Sequence, residues 1–526
     1  MKRRDLFAGA AAATLAGPAL AQPAQNRVLK MVPQANLTSL DPIWTTANIT
    51  RNHGHMIYDT LYGVNANFEI SPQMAAGHVV EDEGKLITIT LRDGLKFHDG
   101  EPVRASDVVP SLTRWMRRNP MGQKLATVTD AVEVVDDKRL RFRLKRPFPL
   151  LFSALAQVSN SPAFVMPERL AKTDPFQQVR EAIGSGPFVF KADEFNSGSR
   201  VVYTKFGDYV PVPNGTTSLT AGPKVVHFDR VEWNIIVDAA TSAAALQTGE
   251  IDWYEQPPPE IQQLLKRNRQ VKIEAIDPLP LTGILRFNHL HPPFNDKKLR
   301  QALLPAITQA DFMAAVVGDE PQNYVANCGI FTPGTPLAND VGMSVLNGPR
   351  SIDRAKELLR AAGYTNQPMR LIGPTDILAP SAMTQVGADL VRRLGLNADI
   401  VLTDWGTTVQ RRTSREPVER GGWSMLFTSF SSFDFVNPAA HFPLRGNGDG
   451  AWFGWPNIPR LEELRDSWFD APNLDAEKSI AREMQTVALD ELPYIPVGAY
   501  KSLTALRSNL QDRVSGLALF WGIRRV

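Results

Sequence analysis

The chain has 526 residues, 57 Lys and Arg against 55 Asp and Glu, a formal net charge of +2 and 43% hydrophobic residues. So even a balance leaves no overall field to hold nucleic acid or an anionic membrane surface. Cys328 is the only cysteine, which excludes an internal disulfide, so stability must come from apolar burial, enough at this length for two or three domains.

The N-terminus reads as an export signal. Lys2, Arg3 and Arg4 precede an uncharged stretch, residues 6–21, that ends in Ala19-Leu20-Ala21. Small residues around one spacer suit a cleavage site, and the stretch falls short of the ~20 apolar residues of a spanning helix. Paired arginines followed by Asp5-Leu6-Phe7 read as twin-arginine export. Without residues 1–21 the chain is formally neutral, with 54 charges of each sign. No cysteine adjoins the cleavage site, so the expected product is soluble in the periplasm and carries no lipid anchor.

Beyond the leader, short alternating strands are mixed with amphipathic helices. Residues 27–32 read as a first strand, 49–61 as a helix and 87–91 as a strand. Residues 106–117 place Val108, Val109, Leu112, Trp115 and Met116 at helical spacing behind a Ser106 cap. Residues 132–135 and 140–144 pair across an Asp136-Asp137 turn. Residues 296–310 read as one helix with Leu299, Leu303, Ala306 and Ile307 inward. Residues 351–362 form another, capped by Ser351 and stopped by Gly363. The strand 281–288 and the segment 492–499 are candidate crossings between two lobes, a pairing that makes a hinge.

Candidate chemistry is sparse. Phe97-His98-Asp99-Gly100 reads as a turn, with His98 and Asp99 bonded to its backbone rather than paired for catalysis or metal binding. Ser185, between Gly184 and Gly186, lacks the Gly-x-Ser-x-Gly of a nucleophile elbow. His53 and His55 are two apart on a helical stretch, where side chains diverge. His289 and His291 repeat that spacing on a loop, and His78, His98, His227 and His441 are scattered. No catalytic set, metal site or cofactor is expected.

Several motifs together carry a resemblance. The run Leu-Arg-Asp-Gly-Leu-Lys-Phe-His-Asp-Gly at 91–100, followed by Pro102, Ala105, Ser106, Asp107 and Val108, resembles the hallmark of the family 5 extracellular solute-binding proteins. Ile-Gly-Ser-Gly-Pro-Phe at 183–188, the stretch 288–303 and Asp-Arg-Ala-Lys-Glu-Leu-Leu-Arg-Ala-Ala-Gly-Tyr at 353–364 are similar to later family motifs, in the family's order. The resemblance spans residues 27–526. It implies an α/β, two-lobed periplasmic binding protein fold with a hinge and an extra subdomain in lobe I, of the type II, cluster C kind. Lobe I would comprise 27–282 plus 500–526, with a subdomain at about 48–165, and lobe II 283–499.

The function implied is capture of a peptide or similarly sized small molecule between the lobes and delivery to an ABC permease and ATPase complex in the inner membrane. The protein would act as a monomer and not as an enzyme. Alternatives are a non-peptide solute, aromatic or conjugated, or a metal chelate; a secreted hydrolase or a periplasmic sensor or chaperone ranks below these. By family position the ligand would touch Trp44 and Thr45 in one loop, Trp405 in a second, and Trp423, Phe430, Phe433 and Asp434 in a third segment, whereas Phe427 and Phe435 read as core. Aromatic walls with a few fixed polar groups suit a concave site. Peptide-binding relatives place an aspartate in the third segment for the ligand's α-ammonium group. Alignment puts Phe433 there and Asp434 one place on, which leaves open whether that ion pair exists.

Overall fold

The computed structural model describes residues 27–526, so the leader expected at 1–21 lies outside the described residues. Two large sheets organise the chain. The first has seven strands in the order Phe188–Phe190, Arg200–Lys205, Arg230–Asn234, Val28–Val32, Trp253–Tyr254, Leu503–Arg507 and Val271–Ala275. Val28–Val32 runs parallel to both neighbours, and Leu29 and Met31 are wholly buried, as a central parallel strand requires.

The second sheet orders Tyr324–Val325, Tyr494–Tyr500, Leu281–Phe287, Met425–Phe430, Met369–Pro374 and Ala398–Thr403. Every residue of Leu281–Phe287 and of Tyr494–Tyr500 is buried. These are the two runs read as crossings, and they lie side by side, antiparallel, with Leu281 opposite Tyr500. The chain passes from Val271–Ala275 in the first sheet into Leu281–Phe287 in the second, and returns from Tyr494–Tyr500 into Leu503–Arg507.

A third sheet of four antiparallel strands is Ala75–Glu81, Leu86–Leu91, Arg139–Leu144 and Thr129–Val134. The hairpin read across Asp136-Asp137 is present, with Val134 opposite Leu140. Leu140, Phe142 and Leu144 are buried at a period of two, beneath the helix Ala105–Arg118.

Two local readings need correction. The helix expected behind a Ser106 cap begins at Ala105, and Asp107 fixes its start by accepting the Arg104 backbone N–H at 2.9 Å. The single helix expected over 296–310 is broken into Lys297–Gln301, a tight turn at Leu304–Ala306 and a new helix, Gln309–Val317. Pro305 has no N–H for the helical ladder and disfavours helical backbone before it. The Ser351 cap and the left-handed stop at Gly363 are as read.

One buried ion pair holds the loop after the first strand. Arg114 donates to both Asp41 oxygens, at 2.6 and 3.2 Å, with both side chains nearly inaccessible. Asp41 also accepts the backbone N–H groups of Ile43 and Val179, and Arg114 donates to the carbonyls of Thr173 and Gln177. Arg114→Leu removes one partner and leaves a buried carboxylate uncompensated, which should cost roughly 3–5 kcal/mol of stability. Urea unfolding of the purified protein measures this; a loss below about 1 kcal/mol would show that the loop is held by other contacts.

Candidate functional site

Three adjoining cavities run along the seam between the first and second sheets. The middle one is a small chamber whose walls include Gln34, Thr46, Ile377, Trp405, Arg412 and Phe430. At Gln34 and Ile377 it meets a groove of about 560 Å³ between residues 254–260 and 375–386. At Thr46 it meets a second cavity, of about 240 Å³, walled by Trp44, Thr45, Trp452 and Phe453 among others. The groove lies within the usual size range of small-ligand pockets.

Local structure explains which residues reach the chamber. In the strand Met425–Phe430, alternate residues point to opposite faces. Met425 and Phe427 join the apolar core on one side, while Thr428 and Phe430 reach the chamber on the other. Trp405 opens the helix Trp405–Arg411, which Asp404 caps by accepting the Thr407 N–H at 3.0 Å. The Trp405 backbone N–H donates to Asp376 at 2.7 Å, which fixes the first turn of that helix.

The sequence-predicted residues therefore separate. Trp405 and Phe430 meet around the chamber, with Trp44 and Thr45 at the adjoining cavity. Trp423 is buried below it, donating its indole N–H to the Arg412 carbonyl at 3.1 Å, and lines none of these three spaces. Phe433 lies past the end of the strand, where the period of two lapses into a tight turn, and lines a different apolar pocket with Phe68, Met121 and Trp468. Asp434 is completely buried, and its carboxylate accepts the Ser431 N–H (2.9 Å), the Ser431 hydroxyl (2.7 Å) and the Asn160 N–H (2.8 Å). Phe427 and Phe435 are core, as read.

Two residues outside the expected set bear on the chamber: Arg412 lines it, and Trp452 stands at the adjoining cavity against Phe430. Trp452 packs edge-on against Phe430, with centroids 5.3 Å apart, and its indole N–H donates to Thr46 at 3.2 Å. Arg286 holds the loop carrying it by donating to the carbonyls of Trp452, Phe453, Pro443 and Pro493 at 2.6–2.9 Å. Arg412, only 2% exposed, sits over the rings of Phe453 (4.9 Å), Trp452 (5.4 Å) and Trp405 (5.7 Å). Its one hydrogen bond is a long one, 3.4 Å, to the Thr45 hydroxyl, and its Nε has no partner. Burial lowers its pKa to about 9, and no carboxylate lies close enough to offset this. A sequence signal existed: Arg412 follows Trp405 by seven residues, two helical turns, on one face.

Behind the chamber lies a buried charge cluster. Arg51 donates to the Ser431 hydroxyl at 2.9 Å, and Asp434, Glu255 and Asp277 surround it. Glu255 accepts the Gln34 N–H at 2.7 Å and the Asn52 amide at 3.4 Å. Burial raises its pKa to about 7 against the pull of the Gln34 N–H and of Arg51.

The histidine readings change in one respect. Asp99 accepts the Glu101 N–H within its own turn, but His98 reaches across to the glycine turn. Its Nδ1 accepts the Gly184 N–H at 3.3 Å and its Nε2 meets the Gly186 carbonyl at 3.0 Å. A Cβ on Gly184 or Gly186 would collide with the backbone of Ile57, so the turn can press closely against that helix end. Among the described residues no group of three His, Cys, Asp or Glu is arranged to hold a metal, and no helix is long and apolar enough to cross a membrane.

Comparison with known proteins adds to this geometry. A sequence model of the bacterial extracellular solute-binding proteins, family 5, matches residues 69–452. A probable peptide ABC transporter periplasmic-binding protein of Sinorhizobium fredii is 36% identical, over 100% of this chain and 99% of that one. A glutathione-binding protein of Salmonella typhi is 26% identical, over 95% of this chain and 94% of its own. Among solved structures, a dipeptide-binding protein of Pseudoalteromonas sp. SM9913 in complex with Met-Leu matches 95% of this chain and 100% of its own, with a TM-score of 0.76 at 22% identity. The A. tumefaciens R10 binding protein AgaA, in complex with agropinic acid, matches 95% and 99%, with a TM-score of 0.78 at 18% identity. These likenesses establish the two-lobed α/β fold of periplasmic binding proteins.

Glu255 ties this site to pH. Folding raises its pKa from the ordinary 4.5 to about 7, so the folded chain holds a proton that the unfolded chain releases. The stability this contributes is complete below about pH 4.5 and is lost as pH rises through about 7, a change on the order of 3 kcal/mol. Glu255→Gln should therefore flatten the decline in stability between pH 5 and 8 relative to wild type. Urea unfolding across that range tests this; parallel profiles would mean that Arg51 keeps Glu255 ionised throughout.

Proposed function

The chain belongs to the bacterial extracellular solute-binding proteins of family 5, and on that premise we propose that it captures a peptide-sized solute in the seam between its lobes and hands it, unchanged, to an ATP-driven importer in the inner membrane. The role is that of the periplasmic solute-binding component of an ABC importer. The observation that carries the proposed site is that the chamber is built from both sides. Gln34 and Thr46 come from the loops after the first strand, and Trp405, Arg412 and Phe430 from the second sheet and its helices. A solute lying in the adjoining groove of about 560 Å³ and reaching this chamber, itself only about 20 Å³, would touch both halves at once, so that binding and closure become one event.

The proposed lobes are 27–282 with 500–526, containing a subdomain at about 48–165, and 283–499. Segregation of the strands into separate sheets supports this division, and the paired strands Leu281–Phe287 and Tyr494–Tyr500 are its natural hinge. We assign the apolar wall to Trp405, Phe430 and Trp452, with Trp44 and Thr45 at the adjoining cavity, and we take the working unit to be a soluble monomer. A peptide is the first substrate class, in keeping with the name of the Sinorhizobium relative. A non-peptide solute is the second reading, favoured by one observation: Asp434, the candidate partner for a peptide's ammonium group, is turned to Ser431 and Asn160.

Mass spectrometry of molecules released from protein purified out of the periplasm identifies the cargo, and calorimetry with it compares variants. Trp405→Ala should weaken binding by about 30- to 1000-fold, the equivalent of roughly 2–4 kcal/mol for a large aromatic in a desolvated site. Small-angle scattering should show a smaller radius of gyration with solute bound. Wild-type affinity in Trp405→Ala would place the site elsewhere.

A further inference from the structure

The chamber and the charge cluster behind it differ in electrostatics, and the difference bears on the chemistry of the solute. Arg412 lines the chamber, almost inaccessible to solvent, with Nε unpartnered and a single long hydrogen bond to Thr45. Among the described residues Arg412 is the only charged one lining the chamber itself, while the adjoining cavity carries Arg117, Arg118, Arg415 and Arg445 together with Asp449. The rings of Trp405, Trp452 and Phe453 give it partial compensation through their negative faces. That falls short of what a buried guanidinium normally has, a carboxylate or a full set of acceptors. Its planar edge is shaped to take both oxygens of a carboxylate at once.

Behind the chamber the chain has supplied Asp434 with its own cation. Arg51 donates to the Ser431 hydroxyl, and that hydroxyl donates to Asp434. With two backbone N–H groups also on Asp434, this carboxylate is engaged on every side the protein presents. An incoming ammonium group would have to displace these bonds and sit against Arg51. Glu255 and Asp277 likewise face Arg51. Three other carboxylates line the neighbouring spaces rather than the chamber: Asp376 and Glu260 in the outer groove, where Asp376 accepts the Trp405 backbone N–H, and Asp449 in the adjoining cavity, where it pairs with Arg415.

We propose that the solute is an organic acid of peptide size, bound with its carboxylate on Arg412 and recognised without any need for a free α-ammonium group. N-blocked peptides, and conjugates in which the amine is substituted, fall in this class, and an unmodified peptide qualifies through its C-terminus alone. This rests on the proposed placement of the site at the chamber.

Titration calorimetry with a matched panel tests it: Ala-X dipeptides for each of the twenty X, each as the free dipeptide, the N-acetyl acid and the C-terminal amide, against the mature protein. The expected result is that at least one N-acetyl acid binds within tenfold of its free dipeptide, while the matching amide is at least about 30-fold weaker, the scale of losing one partner of a buried charge pair. Arg412→Gln should abolish that preference, and Arg412→Lys should keep part of it, which separates lost charge from lost folding. Equal binding of acid and amide, loss of binding on N-acetylation, or no acid in the panel binding at all would overturn the inference. Trp405→Ala separates this from the site itself. If it loses binding while Arg412→Gln does not, the site stands and the anion preference falls; if both bind as wild type, the site falls as well.

Discussion

The loop that follows the first strand has little secondary structure of its own, and the seam depends on where Asp41 puts it. Five groups converge on that carboxylate: two guanidinium nitrogens of Arg114 and the backbone N–H groups of Ile43, Trp44 and Val179. Because Arg114 stands on the helix Ala105–Arg118, the loop is tied to the third sheet, and through Val179 to the segment returning to the first. Thr45 and Thr46, four and five residues on, then meet Arg412 and Trp452 across the seam. A carboxylate so fully satisfied is a rigid anchor, and rigid anchors are what let loops carry precise sites.

Arginines are the recurring means of holding irregular segments here, and comparing them makes the exception informative. Arg286 satisfies four carbonyls of three different segments, two of them on the loop that carries Trp452. Arg465 donates to the carbonyls of Pro120, Pro438 and Ala439, and Arg114 pairs with Asp41 and two carbonyls. Each is buried, and each is used up by the protein. Arg412 is as deeply buried and has one long hydrogen bond. Arg51 is also buried with one hydrogen bond and an unpartnered Nε, but Asp434, Glu255 and Asp277 face it, whereas Arg412 at the seam between the sheets has only aromatic rings and Thr45, which is what an anionic partner would complete.

Much of the architecture was legible from sequence, because it rests on periodic signals. The 132–135 and 140–144 strands alternate on either side of an obvious turn, and the two crossing strands are apolar on both faces apart from Thr282 and Arg286, close to the mark of strands buried on both faces. The break at Pro305 was hidden by Leu303 and Ile307, which keep helical spacing across a residue that cannot continue the helix. The site was less legible for a different reason. Residue type marks an aromatic as a candidate wall but not the face it takes: Phe427 and Phe430 differ by an odd number of positions along one strand, and so point apart. Trp423 and Phe433 lie outside that strand's regular alternation, where chain direction is set by tertiary contacts. Arg412 carried no motif beyond its spacing of two helical turns from Trp405. What makes it notable is the absence of partners, and absence is a property of three-dimensional packing.

The lone arginine also bears on how such a molecule distinguishes an occupied cleft from an empty one. With the lobes apart, a guanidinium at the seam is hydrated and costs nothing. Closing an empty cleft would strip that water and leave a buried cation with aromatic faces and one long hydrogen bond to Thr45, a penalty of several kcal/mol before the rings give some back. A carboxylate brought in by the solute converts the penalty into a close ion pair at low dielectric, where the attraction is stronger than in water. On the proposed reading, then, one residue both selects the solute and biases the hinge, because the solute interacts far better with the closed state than the open one. A ligand shifts a conformational equilibrium only by such a difference. An importer that responds to the closed form would thereby be shielded from empty carriers, without any further device in the fold.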